Sequence, residues 1–375
     1  MADKRISRRW FLLAAAFLML LCSVGCSVGR SVGRDVRYKV SAVVGNYGFP
    51  RKPNVILVVS DGQGYGDMAC HGNGVVKTPN IDRFYKQSSR FGKFFVSPFG
   101  QSTQASVLTG RNVPVSGELL KEDVSLAEVL GRAGYKTCTD VFFDEAIGFI
   151  EENRDGPFFC YISVSADDRL NEVDEKYSAP YRKQGFSEDV ANFYGSITNL
   201  DENFGRLLSR VKGYGLLGNT LIIFMTGSGS AMGDREGVFN AGFRGGKGSV
   251  YEGGARAASF WRMPGTIKPN RTIEQMAMHY DIVPTLMSIC DAEYPEPEKL
   301  EGINLIPYLM NLKQKEKDRS FVTLGKNGDY SVRTSRFRLV NGSELYDVNA
   351  NTSETINVIA RYPAEVAQIR AVYDR

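Results

Sequence analysis

Four stretches of this chain carry residues able to do chemistry. In the first, the β-branched run from Asn54 to Ser60 ends at Asp61 and passes directly into Gly62-Gln63-Gly64-Tyr65-Gly66-Asp67. A carboxylate at a strand end, with Ser60, backbone carbonyls and water beside it, offers oxygen to a hard cation. One carboxylate is a weak offer to an ion that takes roughly six to eight oxygens, and capping the turn after the strand is its plainer role. The same stretch resembles a glycine-rich phosphate loop only loosely, matching neither G-x-G-x-x-G nor G-x-x-x-x-G-K-[ST]. In the second, GQSTQASVLTGR from Gly100 to Arg111, Ser102 and Thr103 carry hydroxyls. A hydroxyl attacks only when a base or metal activates it, and near a helix start it otherwise caps the N-terminus. The third is Lys247, between glycines in the frame RGGKGSVYEGG. The fourth is the histidine complement: there are two in total, His71 and His279, and His279 precedes Asp281-Ile282-Val283-Pro284-Thr285 on a helical stretch, where a packed or solvated ring is the simpler reading.

These residues need a scaffold, and the hydrophobic pattern describes one. Continuous apolar runs at Asn54 to Ser60, Pro157 to Val164, Thr220 to Met225 and Ala257 to Met263 are separated by helix-like sequence. Such runs lie inside parallel sheets, and their alternation with helices predicts an α/β fold with sites at the strand ends. Ser125 followed by Glu128 makes a capping-box pattern ahead of Leu126 to Ala133, and Ser187 stands before a long amphipathic stretch. In that stretch Val190, Phe193, Ile197, Leu200, Phe204, Leu207, Leu208 and Val211 recur at helical spacing as packing residues. Beyond about Leu312 the chain turns polar and irregular, with strand-like pieces from Phe337 to Tyr346 and a helix starting near Pro363.

Composition narrows the class. A chain of 375 residues with 43% hydrophobic and 23% charged residues is an ordinary globular one, and a formal charge of +4 gives no support to nucleic-acid binding. Lys4, Arg5, Arg8 and Arg9 precede thirteen mostly apolar residues, Trp10 to Cys22, a run short for a membrane span. Ser7-Arg8-Arg9-Trp10-Phe11-Leu12 resembles a twin-arginine export signal, which predicts an exported, periplasmic or extracellular protein. Residues 1–34 then read as signal and leader. Cys26 is a candidate lipidation site, although Ser23 stands where a lipoprotein signal usually has Leu, so the membrane enters only through an N-terminal anchor. Cys70, Cys138, Cys160 and Cys290 show no metal-knuckle spacing; an oxidising compartment permits a disulfide, and Cys160 reads as a buried small hydrophobe.

Several motifs together resemble the sulfatase family of the alkaline phosphatase-like superfamily. They are Lys52-Pro53-Asn54-Val55, Gly64-Tyr65-Gly66-Asp67, Lys77-Thr78-Pro79-Asn80-Ile81-Asp82-Arg83, Ala133-Gly134-Tyr135-Lys136-Thr137, Gly218-Asn219-Thr220-Leu221, the RGGKG and YEGG pieces, and Leu345-Tyr346-Asp347. The resemblance spans about 52 to 372. It implies an α/β sandwich with a mostly parallel central sheet flanked by helices over 52–311, shortened near 138–140. A small C-terminal antiparallel sheet with a helix is implied over 312–375.

What the resemblance implies about chemistry is mostly missing. The family pattern C-x-P-S-R-A-x-x-L-T-G-R places Gly100 at the oxidised nucleophile, Ser102 at the Pro, Thr103 at the Ser and Gln104 at the Arg, while Ala105, Leu108, Thr109, Gly110 and Arg111 match. Calcium is the cofactor expected of the family, yet its acidic pair reads Asp61-Gly62 and its later pair Gly227-Ser228, leaving Asp61 as a vestigial ligand. A Lys-x-His motif falls in a deleted insert where Cys138-Thr139-Asp140 runs almost at once into Asp144-Glu145, and a later histidine is replaced at Ala166-Asp167-Asp168. Lys247 alone survives as the residue whose counterpart contacts the sulfate group, or else as a solvated loop charge. The resemblance thus implies a sulfuric ester hydrolase scaffold without its nucleophile, a pseudosulfatase. A non-catalytic binder of sulfated or other small anionic glycans through Lys247, Arg244 and Arg256 is one alternative, and a sulfate ester hydrolase with an atypical site is the other.

Overall fold

The computed structural model describes residues 48–113, 123–167, 173–312 and 315–374. The export, leader and lipidation readings fall on residues 1–34 and lie outside the described residues. Fourteen strands and ten α-helices follow in chain order among the described residues. They are β1 (Asn54–Asp61), α1 (Pro79–Lys86), β2 (Ser89–Phe91), β3 (Phe94–Phe95), α2 (Gly100–Thr109), α3 (Leu126–Arg132), β4 (Lys136–Val141), α4 (Phe143–Glu152), β5 (Phe158–Ser165), α5 (Glu175–Arg182), α6 (Glu188–Gly213) and β6 (Thr220–Thr226). Then come α7 (Glu252–Ala255), β7 (Arg256–Ala257), β8 (Ser259–Arg262), β9 (Arg271–Ile273), β10 (Ala277–Met278), α8 (Ile282–Cys290), α9 (Ile306–Leu309), β11 (Phe321–Leu324), β12 (Tyr330–Arg333), β13 (Phe337–Val340), β14 (Glu344–Asp347) and α10 (Pro363–Tyr373).

The main sheet has the order β4-β5-β1-β6-β8-β2-β9. Its centre is parallel: β1 pairs with β5 and with β6 in unbroken register, and β4 pairs with β5. Because side chains alternate along a strand, these runs feed two cores at once. Val55, Leu57, Val59, Phe159, Tyr161, Leu221 and Ile223 pack on one face, and Ile56, Val58, Phe158, Cys160, Ile162, Ile222 and Phe224 on the other. Helix α6 closes the second face with Leu200, Phe204, Leu207 and Val211, where Phe204 meets Phe84 and Phe224 ring to ring. The fourth apolar run differs from a single strand: it divides at Ala258 into β7, which pairs with β3 in a separate three-stranded sheet, and β8, which runs antiparallel to β6.

The local start signals hold unevenly. Ser125 accepts from the Glu128 amide and Glu128 accepts from the Ser125 amide, a complete capping box on α3. Ser187 is the N-cap of α6 by position but its side chain makes no capping bond. Cys160 is fully buried, and Cys138 stands directly opposite it in the β4–β5 register.

The C-terminal sheet, β11-β12-β13-β14, is antiparallel throughout and is covered by α10 through Val366 and Ile369 against Val332, Leu339 and Leu345. It is bolted to the main body by Glu252, which is buried in α7. The carboxylate of Glu252 pairs with Arg256 at 2.7 Å, Arg333 at 3.1 Å and Arg338 at 2.7 Å, and Glu354 reaches Arg338 at 2.9 Å and the Glu252 amide at 2.7 Å. Burial opposes the Glu252 charge, but the guanidiniums outweigh it and hold the carboxyl far below its ordinary range.

Removing that carboxylate takes a partner from three guanidiniums, those of Arg333 and Arg338 fully buried, and leaves Arg338 with Glu354 alone. Glu252→Ala is expected to cost about 3–5 kcal/mol in urea unfolding. Since the folded pKa is depressed, the stabilisation is complete above the unfolded carboxyl value and is lost as pH falls below it, so wild type is expected to lose its advantage over the variant in acid. Unfolding midpoints for both proteins across the acid range check this.

Candidate functional site

Three parallel strands end side by side, with Asp61 of β1 opposite Ser165 of β5 and Ser60 opposite Thr226 of β6. The turns just past these ends carry Gly62, Asp167 and Ser228, the crevice position where α/β sheets gather their sites. Asp61 is buried, and each of its oxygens is engaged. Oδ1 accepts from the Gly62 amide at 2.8 Å and the Ser228 hydroxyl at 2.6 Å, and Oδ2 accepts from Lys247 Nζ at 2.9 Å. Lys247 Nζ also donates to Asp167, at 3.0 and 3.3 Å, and Ser165 donates to Asp167 Oδ1 at 2.8 Å. Lys247 is therefore neither a solvated loop charge nor an unengaged anion receptor. Burial works against its ammonium, but the two carboxylates prevail and raise its pKa above the ordinary lysine value.

The glycines explain why the carboxylates can stand there. A Cβ at Gly100 would lie 2.0 Å from Asp61 Oδ2, and one at Gly62, whose φ is +70°, would lie 2.3 Å from Asp167 Oδ1. The space that a side chain at either position would need is filled by a neighbour's carboxylate. Calcium does not fit this arrangement, because the inward-facing oxygens already accept from an ammonium that would repel a dication beside it. Among the described residues no group of three or more His, Cys, Asp or Glu converges to hold a metal.

Lys247 reaches this point because its loop is fixed on both sides. Its amide donates to Ser230 O at 2.9 Å, and the Gly248 amide donates to Pro98 O at 2.9 Å. Val250 O accepts from Ser331 at 2.7 Å and Arg338 at 2.8 Å, so the C-terminal sheet braces the loop. A Cβ at Gly254 would stand 1.9 Å from Ser249 O, so only glycine lets the loop fold back on α7.

Above the carboxylates opens a cleft of about 580 Å³, lined by Asp61, Phe99, Gly100, Gln101, Gln104, Phe142, Ser163, Val164, Ser165, Lys247 and Lys326. Lys326 is exposed, lies 5.6 Å from the Phe99 ring and makes no ion pair among the described residues. Next to the cleft, at the β4–α4 junction, Phe142 stays 58% exposed and borders a second cavity of about 380 Å³ with Val164, Val173 and Arg206.

Other sequence candidates fall elsewhere. Ser102 and Thr103 do not cap α2: the helix begins at Gly100 behind Phe99 with no side-chain cap, Ser102 is buried, and Thr103 donates to Ser97 O at 3.3 Å. Arg244 stacks 3.7 Å over Tyr251 and donates to Tyr346, and Arg256 is held by Glu252, so neither lines the cleft. His279 is fully buried with Nδ1 3.1 Å from Phe95 O, and His71 stacks on Tyr65 with Nδ1 2.7 Å from Tyr65 O; burial lowers both to about 4. The glycine-rich turn after β1 binds its own side chain, since Asp67 accepts from the Gly64 amide at 2.8 Å.

The Sulfatase family profile matches residues 53–140 and 138–292, two segments that meet in β4. The chain belongs to the sulfatase family. It is 27% identical to human arylsulfatase A over 407 residues, covering 83% of this chain and 79% of that protein. It is 22% identical to rat N-acetylgalactosamine-6-sulfatase, covering 70% and 67%. In fold it resembles Ps i-CgsB in complex with k-i-k-neocarrahexaose, with TM-score 0.77 and 20% identity over 86% of this chain and 92% of that one. It also resembles a structure in complex with its substrate D-Glucosamine-2-N,6-O-disulfate, with TM-score 0.70 and 18% identity over 86% and 97%. The sulfatase fold, with its mostly parallel sheet and separate antiparallel one, is thus the one the sequence predicts.

Asp167, Gln101, Lys326 and Phe142 were not among the site residues the motifs single out. Asp167 was within reach: it follows β5 by two residues, and β5 neighbours β1, so its carboxylate had to emerge beside Asp61.

Asp67 offers a pH test of the turn behind the site. Full burial pushes its pKa up to about 7, against the weaker pull of Ser230 and the Gly64 amide. The folded protein then holds a proton that the unfolded chain releases, so stability falls as pH rises from about 4 to 7, by up to roughly 1.4 kcal/mol per unit. Asp67→Asn is expected to flatten that slope in unfolding midpoints measured across the window.

Proposed function

We propose that this sulfatase-family protein does not hydrolyse sulfate esters by the nucleophile chemistry of its family, and that its cleft is a binding site. The observation that carries the reading is the 2.0 Å separation between a Cβ placed at Gly100 and the Asp61 carboxylate. Position 100 holds no nucleophile, and the space for one is occupied. The two histidines, His279 buried and His71 half-buried, lie away from the cleft with pKa values near 4, so neither supplies an acid or base there.

For the ligand, the cleft supplies the Phe99 and Phe142 rings, the Gln101 and Gln104 amides, the Ser163 hydroxyl and the Lys326 ammonium. Flat rings with amide and hydroxyl groups suit a sugar, and solved structures of similar fold are in complex with k-i-k-neocarrahexaose and with D-Glucosamine-2-N,6-O-disulfate. A sulfated or otherwise anionic small glycan is the ligand class we assign. Its charge would be met by Lys326, since Lys247 is already shared by two carboxylates. Export by the twin-arginine-like segment, with or without anchoring at Cys26, belongs to the same reading.

Purified protein is expected to turn over no 4-nitrophenyl sulfate above a protein-free blank, with or without calcium; calcium-dependent turnover abolished by chelator overturns the reading. Gly100→Cys is expected to lose about 1–3 kcal/mol of stability in urea unfolding, because its side chain must displace the Asp61 carboxylate. Calorimetric titration with a sulfated oligosaccharide and its desulfated counterpart tests the cleft. Saturable binding of the sulfated form, weakened a few-fold in Lys326→Ala and by added salt, is expected. In a bacterial host, replacing Arg8 and Arg9 by lysines is expected to leave the protein in the cytoplasm.

A further inference from the structure

We propose that the Lys247 ammonium is a built-in substitute for a divalent cation, so that this protein holds its strand-end carboxylates together without metal. The claim goes beyond loss of hydrolysis and stands whether or not a glycan enters the cleft. Three carboxylate oxygens face one nitrogen: Asp61 Oδ2 at 2.9 Å and Asp167 Oδ2 and Oδ1 at 3.0 and 3.3 Å. An ammonium has three donors, and three acceptors surround it. A hard cation would instead draw such oxygens in to about 2.3–2.6 Å and would need several more of them.

The supporting groups agree. Asp61 Oδ1 faces away from the lysine and is satisfied by Gly62 N and Ser228 Oγ, while Ser165 supports Asp167. Gly62 and Gly100 provide no side-chain oxygen, and their side-chain space is taken by the two carboxylates. The side chains of Asp61 and Asp167 are 12% and 18% exposed, so without Lys247 two largely buried carboxylates would face each other unpaired. That pair, with the Ser228 hydroxyl and water from the open cleft, is an oxygen cluster that a divalent cation would then stabilise.

The test is thermal unfolding of the purified full chain in EDTA and in millimolar calcium chloride. Wild type is expected to melt at the same temperature in both. Lys247→Ala is expected to melt several degrees lower in EDTA and to recover in calcium, Lys247→Arg to remain indifferent, and Lys247→Ala/Asp167→Asn to lose the calcium response. If Lys247→Ala does not fold in EDTA, refolding on calcium addition, read by circular dichroism, counts as the same recovery. Calcium-dependent stabilisation of wild type overturns the proposal, as does a Lys247→Ala protein on which calcium has no effect. Glycan titrations and sulfate ester assays read neither quantity, so the binding reading can fail while this one stands.

Discussion

Lys247 sits between Asp61 and Asp167, and most of what distinguishes this molecule is arranged around that contact. Ion pairs removed from water hold only when every remaining lone pair and proton is also engaged, and here the engagement is nearly complete. Two amides or hydroxyls satisfy the far oxygen of Asp61, a serine supports Asp167, and the lysine's own amide is tied to Ser230. The loop bearing the lysine is braced in turn by Arg338 and Ser331 of the C-terminal sheet, which Glu252 joins to the main body. The small sheet thus has a task at the site although it contributes to the cleft only through Lys326.

Much of this was legible in the sequence where a single segment decides its own fate. The runs that became β1, β5 and β6 are apolar on both faces because both faces are covered, and the Ser125–Glu128 box is closed by residues three apart. Leu200, Phe204, Leu207 and Val211 line one side of α6 as their spacing demands. Readings failed where a distant segment decides. The break at Ala258 depends on β3 offering a partner to β7, and no local residue announces it. Ser102 and Thr103 look like caps until Gly100 proves to be helical itself, which carries both hydroxyls past the N-terminus. Asp61 was readable as a residue and not as a partner of Lys247, because 186 residues separate the two.

The junction between β4 and α4 shapes the cleft as much as Gly100 does. Val141 ends β4 and Phe143 starts α4, so Phe142 has no covering segment and projects where it borders both the cleft and the neighbouring cavity. Asp140 adopts a left-handed φ of +56° and the β4–β5 register shifts between Cys138 and Val141, the irregularity of a bulged strand end. An aromatic ring exposed at a crevice mouth is a surface that a flat ligand face can cover.

The strand-end site is separate from the packing that holds the fold. The two cores alternate along the strands and stop short of the strand ends, and Gly62, Gly100, Gly227 and Ser228, at turns and a helix start, belong to neither. Clustered acidic side chains at a crevice strain a fold by mutual repulsion and desolvation, and a cation placed between them relieves the repulsion. Here two carboxylates remain and one ammonium holds them. The net negative charge left beside Gly100 repels an incoming sulfate from the strand ends themselves and leaves Lys326, at the rim, as the cation an anionic ligand meets first.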